Sequence, residues 1–237
     1  MSSYVYAITP ADHPLELDGL SGVGPDGSEL RVVTEQDLAA VVSTAPEGLR
    51  AKRRDLVAHD AVLQTLMSAG AVLPMQFGLV GPDDSSVAEA LRENRTAYLE
   101  RLDELDGRLE YNVKVSRDED DLLREIIAND QEVQRLNETT RRDPAAHDAK
   151  VRLGELLSHE ARVRQERTAA DVVDALAGGA VKVSVSQPTA KHFLSASFLV
   201  ERDRAAAFSQ AVHEDAERRG EAYSYHLHGP LPAYSFV

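Results

Sequence analysis

Leu109-Glu110-Tyr111-Asn112-Val113-Lys114-Val115 alternates side-chain character with a period of two, the signature of a strand with one face turned inward. Reading it as a strand decides the second half of the chain. The acidic cluster Asp118-Glu119-Asp120-Asp121 comes next, and its charges suit the positive end of a helix. Leu122, Ile126, Val133 and Leu136 continue that helix as one apolar stripe to Arg142. Asp143-Pro144 predicts a break, and a second helix runs from about Ala145 to Leu176, stopped by Gly178-Gly179. Val181–Val185 and His192–Val200 read as strands joined across Pro188. A helix over Asp203–Arg219 carries Phe208 and Val212 and is closed by Gly220. Tyr223–His228 is the last strand. The order β-α-β-β-α-β is that of a ferredoxin-like domain, modified by a long helical hairpin over 118–178 in its first crossover.

Upstream, Tyr4–Ile8 is a short aromatic and β-branched strand stopped by Thr9-Pro10. Residues 11–28 read as a loop, and Leu30–Thr34 and Leu38–Ser43 as two more strands. A helix over Arg53–Ala69 is expected to turn Leu56, His59, Val62 or Leu63, Leu66 and Met67 inward, with Gly70 after its last turn. Val72–Val80 reads as an edge or bulged strand because of Pro74. Asp83–Ser86 offers caps for one helix through Val87, Leu91, Tyr98, Leu102 and Leu105, ended by Gly107. The fold class expected is α+β in two domains: 1–107, 108–228, and a tail over 229–237 docked on the body.

The chain has 237 residues, 43% hydrophobic and 28% charged, with a formal net charge of −14. That composition predicts a globular protein and argues against nucleic acid as a partner, since phosphate backbones need clustered Lys and Arg. There is no cysteine, so neither disulfide nor thiolate chemistry exists. Met1-Ser2-Ser3-Tyr4 lacks a basic stretch leading into an apolar core, so no signal peptide is expected, and the apolar runs are too short to span a membrane. The expectation is a cytoplasmic protein with no membrane partner.

Gly229-Pro230-Leu231-Pro232-Ala233-Tyr234-Ser235-Phe236-Val237 is apolar where chain ends are usually polar. Two prolines fix φ and reduce the entropy lost on docking. Left free, Leu231, Tyr234, Phe236 and Val237 would form a sticky patch, so this tail should be seated on the body or on a partner.

His226-Leu227-His228 puts two imidazoles on one strand face, a spacing compatible with a metal, but no third ligand follows. His59 on the inner side of its helix reads as a hydrogen-bonded core histidine rather than a base. The glycine-rich Gly19–Gly27 has no Walker lysine, and no Gly-x-Ser-x-Gly occurs. Asp118–Asp121 lacks the alternate ligands of a calcium loop, and Arg50–Arg54 reads as a wet helix face. No catalytic residue, metal or cofactor is expected. The apolar stripes of the long helices pack on each other, while the distal part around Leu136–Leu153 projects as a candidate partner-binding arm.

Taken in order, Tyr4-Val5-Tyr6-Ala7-Ile8, the helix with His59 leading into Val72-Leu73-Pro74-Met75-Gln76-Phe77-Gly78, Tyr111-Asn112-Val113-Lys114-Val115 and Gly229–Phe236 resemble the GvpL/GvpF family of gas vesicle accessory proteins. Gln76 departs from the arginine usual there, Leu231 from tryptophan and Ala233 from proline. Gln76 can offer only neutral hydrogen bonds. The resemblance implies a minor, non-enzymatic protein needed for gas vesicle formation, with two α+β domains, the second of modified ferredoxin type. It implies binding to the hydrophobic shell protein GvpA and to other accessory proteins as nucleator or chaperone. Leu73, Pro74, Met75, Phe77 and Gly78, with Gly229, Pro230, Leu231, Pro232, Tyr234 and Phe236, are expected to form the partner-binding or domain-interface surface. The alternative is a small-ligand or metal-binding ferredoxin-like protein; a regulator acting through protein contacts is a third class.

Overall fold

The computed structural model describes residues 1–143 and 145–237. Pro144, the expected helix break, lies outside the described residues. Two compact units are present. One comprises Met1–Tyr111, Leu199–Asp203 and Gly229–Val237; the other comprises Asn112–Phe198 and Arg204–His228.

The first unit is built on a sheet of β1 (Ser3–Pro10), β2 (Leu30–Glu35), β3 (Leu38–Thr44), β4 (Leu73–Pro74) and β5 (Val80–Gly81). Its order is β2-β3-β1-β4, with β5 also pairing β1. β1 is antiparallel to β3, β4 and β5. A centrally placed strand covered on both faces must be apolar throughout, and β1 is buried from Ser3 to Thr9. The β1–β3 register slips between Val5 and Ala7, leaving Tyr6 as the extra residue of a bulge. This re-phases the strand. Val5 before the bulge and Ile8 after it both enter one core cluster, with Leu38, Val42, Leu73, Leu91 and Leu102.

α1 (Arg53–Ala69) buries His59, Val62, Leu63, Leu66 and Met67, whereas Leu56, expected inward in its first turn, is exposed. Beyond it, the strand expected over Val72–Val80 is interrupted. Only β4 and β5 pair with β1; between them Gln76–Gly78 loops out, with the Leu79 N–H donating to the Gln76 carbonyl at 3.3 Å. Gly78 takes φ +97, a left-handed conformation that strains any residue with a Cβ.

The single helix expected up to Leu105 is two, α2 (Asp84–Glu93) and α3 (Arg95–Leu105). The Asn94 side chain donates back to the Ala90 carbonyl, competing with the helical ladder. Asp83 caps α2 by accepting from the Ser86 N–H at 2.8 Å.

The second sheet has the order β7-β8-β6-β9, from β6 (Arg108–Arg117), β7 (Lys182–Ser186), β8 (Leu194–Glu201) and β9 (Tyr223–Leu231). In the second unit the helix expected over 118–142 is also divided, into α4 (Glu119–Asn129) and α5 (Gln131–Arg142). Asp130 causes the division: its carboxylate accepts from the Glu132 and Val133 N–H groups at 2.8 and 2.9 Å and starts a new helix. α6 (His147–Ala177) packs along both, over Leu122, Ile126 and Val133, with Leu153, Leu156 and Leu157 half-buried. α7 (Ala205–Arg219) sets Phe208 against Phe198 of β8, ring centroids 5.2 Å apart. The fold is thus mixed α and β with two sheets, the first antiparallel throughout.

Candidate functional site

The residues expected to form the partner-binding surface fall within the first unit, and Met75, Phe77 and Tyr234 among them meet one histidine. His59 comes from the buried face of α1 and is 3% exposed. Its Nδ1 lies 2.9 Å from the Tyr4 hydroxyl, and its Nε2 lies 3.1 Å from the Met75 carbonyl and 3.2 Å from the Tyr234 hydroxyl. A carbonyl can only accept, so Nε2 carries the proton and Nδ1 accepts from Tyr4. Tyr4 in turn accepts from the Gly78 N–H at 3.2 Å. Every polar atom of the ring is therefore satisfied in its neutral form. Burial accordingly pushes the imidazole pKa below its ordinary 6.5, against the pull of the Met75 carbonyl and the Asp60 charge. Burial also raises the Tyr4 hydroxyl and pushes Tyr234 up to about 12, so both stay protonated; Tyr4 donates to Nδ1, and Tyr234 accepts from the Nε2 proton.

Three aromatic rings enclose the imidazole. Tyr6 stacks on it at 5.5 Å, while Tyr4 and Phe77 meet it edge-on, each at 5.7 Å. The excursion at Gln76–Gly78 is what delivers Phe77 to the cage and the Gly78 N–H to Tyr4. Gln76 itself is exposed.

The tail is seated on this unit. Pro232, Ala233 and Phe236 are buried, and Ala233 and Phe236 join the core cluster of Val5, Leu38 and Leu91. Leu231 and Tyr234 are half-buried; Gly229, Pro230, Ser235 and Val237 are exposed. Gly229 lies so close to β6 that a Cβ there would stand 2.5 Å from Tyr111 Cδ1 and 3.0 Å from the Glu110 carbonyl, a space open only to glycine. Glu110, 3% exposed, then holds the tail with both oxygens: it accepts from the Ser235 N–H at 2.9 Å and from the Ser235 hydroxyl at 2.6 Å. Sequence reasoning missed Glu110. No local signal marked it: Glu110 falls on the polar phase of the alternating strand with Asn112 and Lys114, and its burial is set by the distant Ser235.

The other face of the same segment opens an apolar groove of about 260 Å³. Val5, Ile8, Met75, Val87, Leu91 and Tyr98 line it, with Leu79 and Val80 at its edge, 46% and 43% exposed. Of the sequence-predicted residues, Leu73 and Pro74 are buried, Met75 lines the groove, and Phe77 and Tyr234 touch His59. One ring nitrogen of His59, Nε2, thus meets both the tail, at the Tyr234 hydroxyl, and the groove wall, at the Met75 carbonyl.

His226 and His228 are both exposed on β9. Among the described residues no group of three or more His, Cys, Asp or Glu is arranged to hold a metal ion, and no helix is long and apolar enough to cross a membrane.

A fold of two sheets whose tail returns to a histidine-centred cage on the first defines the class, and comparison with known proteins defines the family. The model of the gas vesicle synthesis protein GvpL/GvpF family matches residues 2–237. Gas vesicle protein F of a Streptomyces species is 40% identical over the whole length of both chains. Gas vesicle protein L of the same organism is 31% identical, covering 99% of this chain and 92% of that one. The crystal structure of the gas vesicle protein GvpF from an Anabaena species superposes with a TM-score of 0.85 at 23% identity, covering 99% of this chain and 97% of that one. GvpF from Microcystis aeruginosa gives 0.81 at 24%. The chain belongs to the GvpL/GvpF family.

Proposed function

We propose that the chain is a non-enzymatic accessory protein of gas vesicle formation, acting in the cytoplasm and at the growing vesicle. It binds the hydrophobic shell protein GvpA, together with other accessory proteins, as a nucleator or chaperone. A shell subunit bound for a gas-facing wall carries apolar surface before assembly, and that surface needs cover. The observation that carries the reading is the apolar groove edged by the exposed Leu79 and Val80. An apolar side chain entering it exchanges water for Met75, Leu91 and Tyr98, at about 25 cal/mol per Å² of apolar surface removed from solvent. The tail, through Tyr234 and His59, holds the Met75 wall in place, so Leu73–Gly78 and Gly229–Phe236 act as one partner-binding element. The net charge of −14 keeps the loaded complex dispersed.

The strand order β7-β8-β6-β9 supports reading the region from β6 onward as a modified ferredoxin-like domain, with α4, α5 and α6 as the hairpin of its first crossover. On that reading 1–107 forms an N-terminal α+β domain, 108–228 the second domain, and 229–237 a tail belonging to the first.

The test is complementation of a cell lacking its own copy of the gene with Leu79→Asp, a surface change expected to alter stability by only about 0.5 kcal/mol. Vesicle numbers should fall sharply while the melting temperature holds. Normal vesicle numbers with this variant would refute the groove as the working surface.

A further inference from the structure

The chain carries five lysines among its 26 Lys and Arg, and three of them, Lys114, Lys182 and Lys191, sit in or beside the strands of the second sheet. Lys114 lies on β6, whose neighbour β9 carries His226 and His228 at the sheet edge. His192, ahead of β8, meets His226 edge-on at 5.8 Å. The charges acting on His192 come from His226, Lys114, Lys191 and His228, every one a cation or able to become one, and they hold its pKa below 6.5 together with desolvation, the larger cause. None of Lys114, Lys191, His192, His226 and His228 has an ion-pair partner among the described residues. In a protein with 40 acidic side chains, an unanswered cationic cluster runs against the prevailing charge.

The cluster also adjoins a cavity. Lys191 and His192 form one side of a space of about 380 Å³ at the root of the helical arm, with Leu122, Leu157 and Ala161 as its apolar side. Arg117 and Glu119 line it too, but the Arg117 charge is already answered by Asp121 and Glu125. The space fits one or two side chains, and its lining mixes the cations Lys191 and His192 and the carboxylate Glu119 with apolar groups.

We propose that this cluster and cavity form a second docking site, for an acidic, leucine-bearing segment of a partner protein. Carboxylates of the segment meet Lys114, Lys191 and the imidazoles, and a leucine enters beside Leu157. Charge complementarity selects the occupant. A nucleic acid of equal charge has no leucine to place against Leu122, Leu157 and Ala161, so the apolar lining separates it from the acidic segment. The site belongs to the second unit and the apolar groove to the first, so it stands whether or not the groove reading holds.

The experiment uses the full-length chain and a fluorescein-labelled peptide alternating Glu with Leu, read by anisotropy at low salt. Controls are a Lys-Leu peptide, inorganic phosphate and a single-stranded DNA oligonucleotide of equal charge. The Glu-Leu peptide should bind and the others should not. Lys114→Gln with Lys191→Gln should weaken binding about tenfold, since two solvated ion pairs at up to about 1 kcal/mol each are lost. His226→Gln with His228→Gln gives an independent second variant and should weaken it about threefold on the same scale. The proposal is overturned if both double variants bind as the parent does, if the Glu-Leu peptide does not bind, or if the oligonucleotide binds as tightly as the peptide.

Discussion

The tail locus of the first unit and the helical arm of the second are held by opposite means. At the tail locus the contacts are buried and singular: one imidazole caged by three rings, and one Glu110 carboxylate on a proline-stiffened tail. In the arm, a narrow strip of Leu122, Ile126 and Val133 is buried, and much of the remaining cohesion is ionic and wet, as in the exposed Arg152–Glu132 pair. Low dielectric makes each lost contact at the tail locus costly, whereas solvent blunts each loss in the arm. The comparison teaches where partners can act cheaply. An arm whose stability depends little on any one side chain can change its surface without unfolding; the tail locus cannot.

The largest effect that sharpens this contrast is removal of the tail. Deleting residues 231–237 strips Phe236 and Ala233 from the core and leaves Glu110 buried without its two donors. A loss on the order of 5 kcal/mol is expected, from roughly 3 for a core phenylalanine and the rest from the orphaned carboxylate. At this chain size that lowers the thermal midpoint by roughly 10–20 °C in a circular-dichroism melt. An unchanged midpoint would break the contrast.

Next comes the carboxylate alone. Glu110→Leu should cost about 2 kcal/mol through the loss of both carboxylate hydrogen bonds to Ser235, against about 1 for Ser235→Ala, which removes one of them, measured by urea denaturation. Equal and negligible costs would mean that the tail is held by its apolar residues only.

The third effect is one of pH. His59 is held neutral, with its folded pKa below the ordinary 6.5. The unfolded chain therefore binds the extra proton first, so the stabilisation is complete above about pH 6.5 and is lost as pH falls through the folded pKa. His13, also lowered by burial, adds to the same slope. The urea midpoint should fall between pH 7 and 5, and His59→Gln should flatten part of that fall. A His59→Gln profile parallel to the parent's would remove the imidazole from the account.

The smallest effect belongs to the arm. Arg152→Ala removes an exposed ion pair with Glu132 and should change stability by less than about 1 kcal/mol.

What the sequence made legible follows the same divide between local and long-range causes. β6 was readable because Leu109–Val115 alternates, and α1 because its inward residues recur at helical spacing. The breaks at Asn94 and Asp130 were hidden because the apolar stripe continues through them; the capping side chains, not the pattern, end those helices. The excursion at Gln76–Gly78 was hidden by a run of strand-like residues, although Gly78 was its local mark. The tail's need for a seat could be read from its greasiness. Its partners could not, since Glu110 lies 125 residues before Ser235 and His59 lies 175 before Tyr234.

The most direct test is co-purification of GvpA with the full-length chain, with Leu79→Asp and with the chain lacking residues 231–237, after confirming by melting that Leu79→Asp is folded. The account predicts recovery with the parent chain and loss with both variants, because one removes the apolar edge of the groove and the other frees its wall. Undiminished recovery with Leu79→Asp would contradict it.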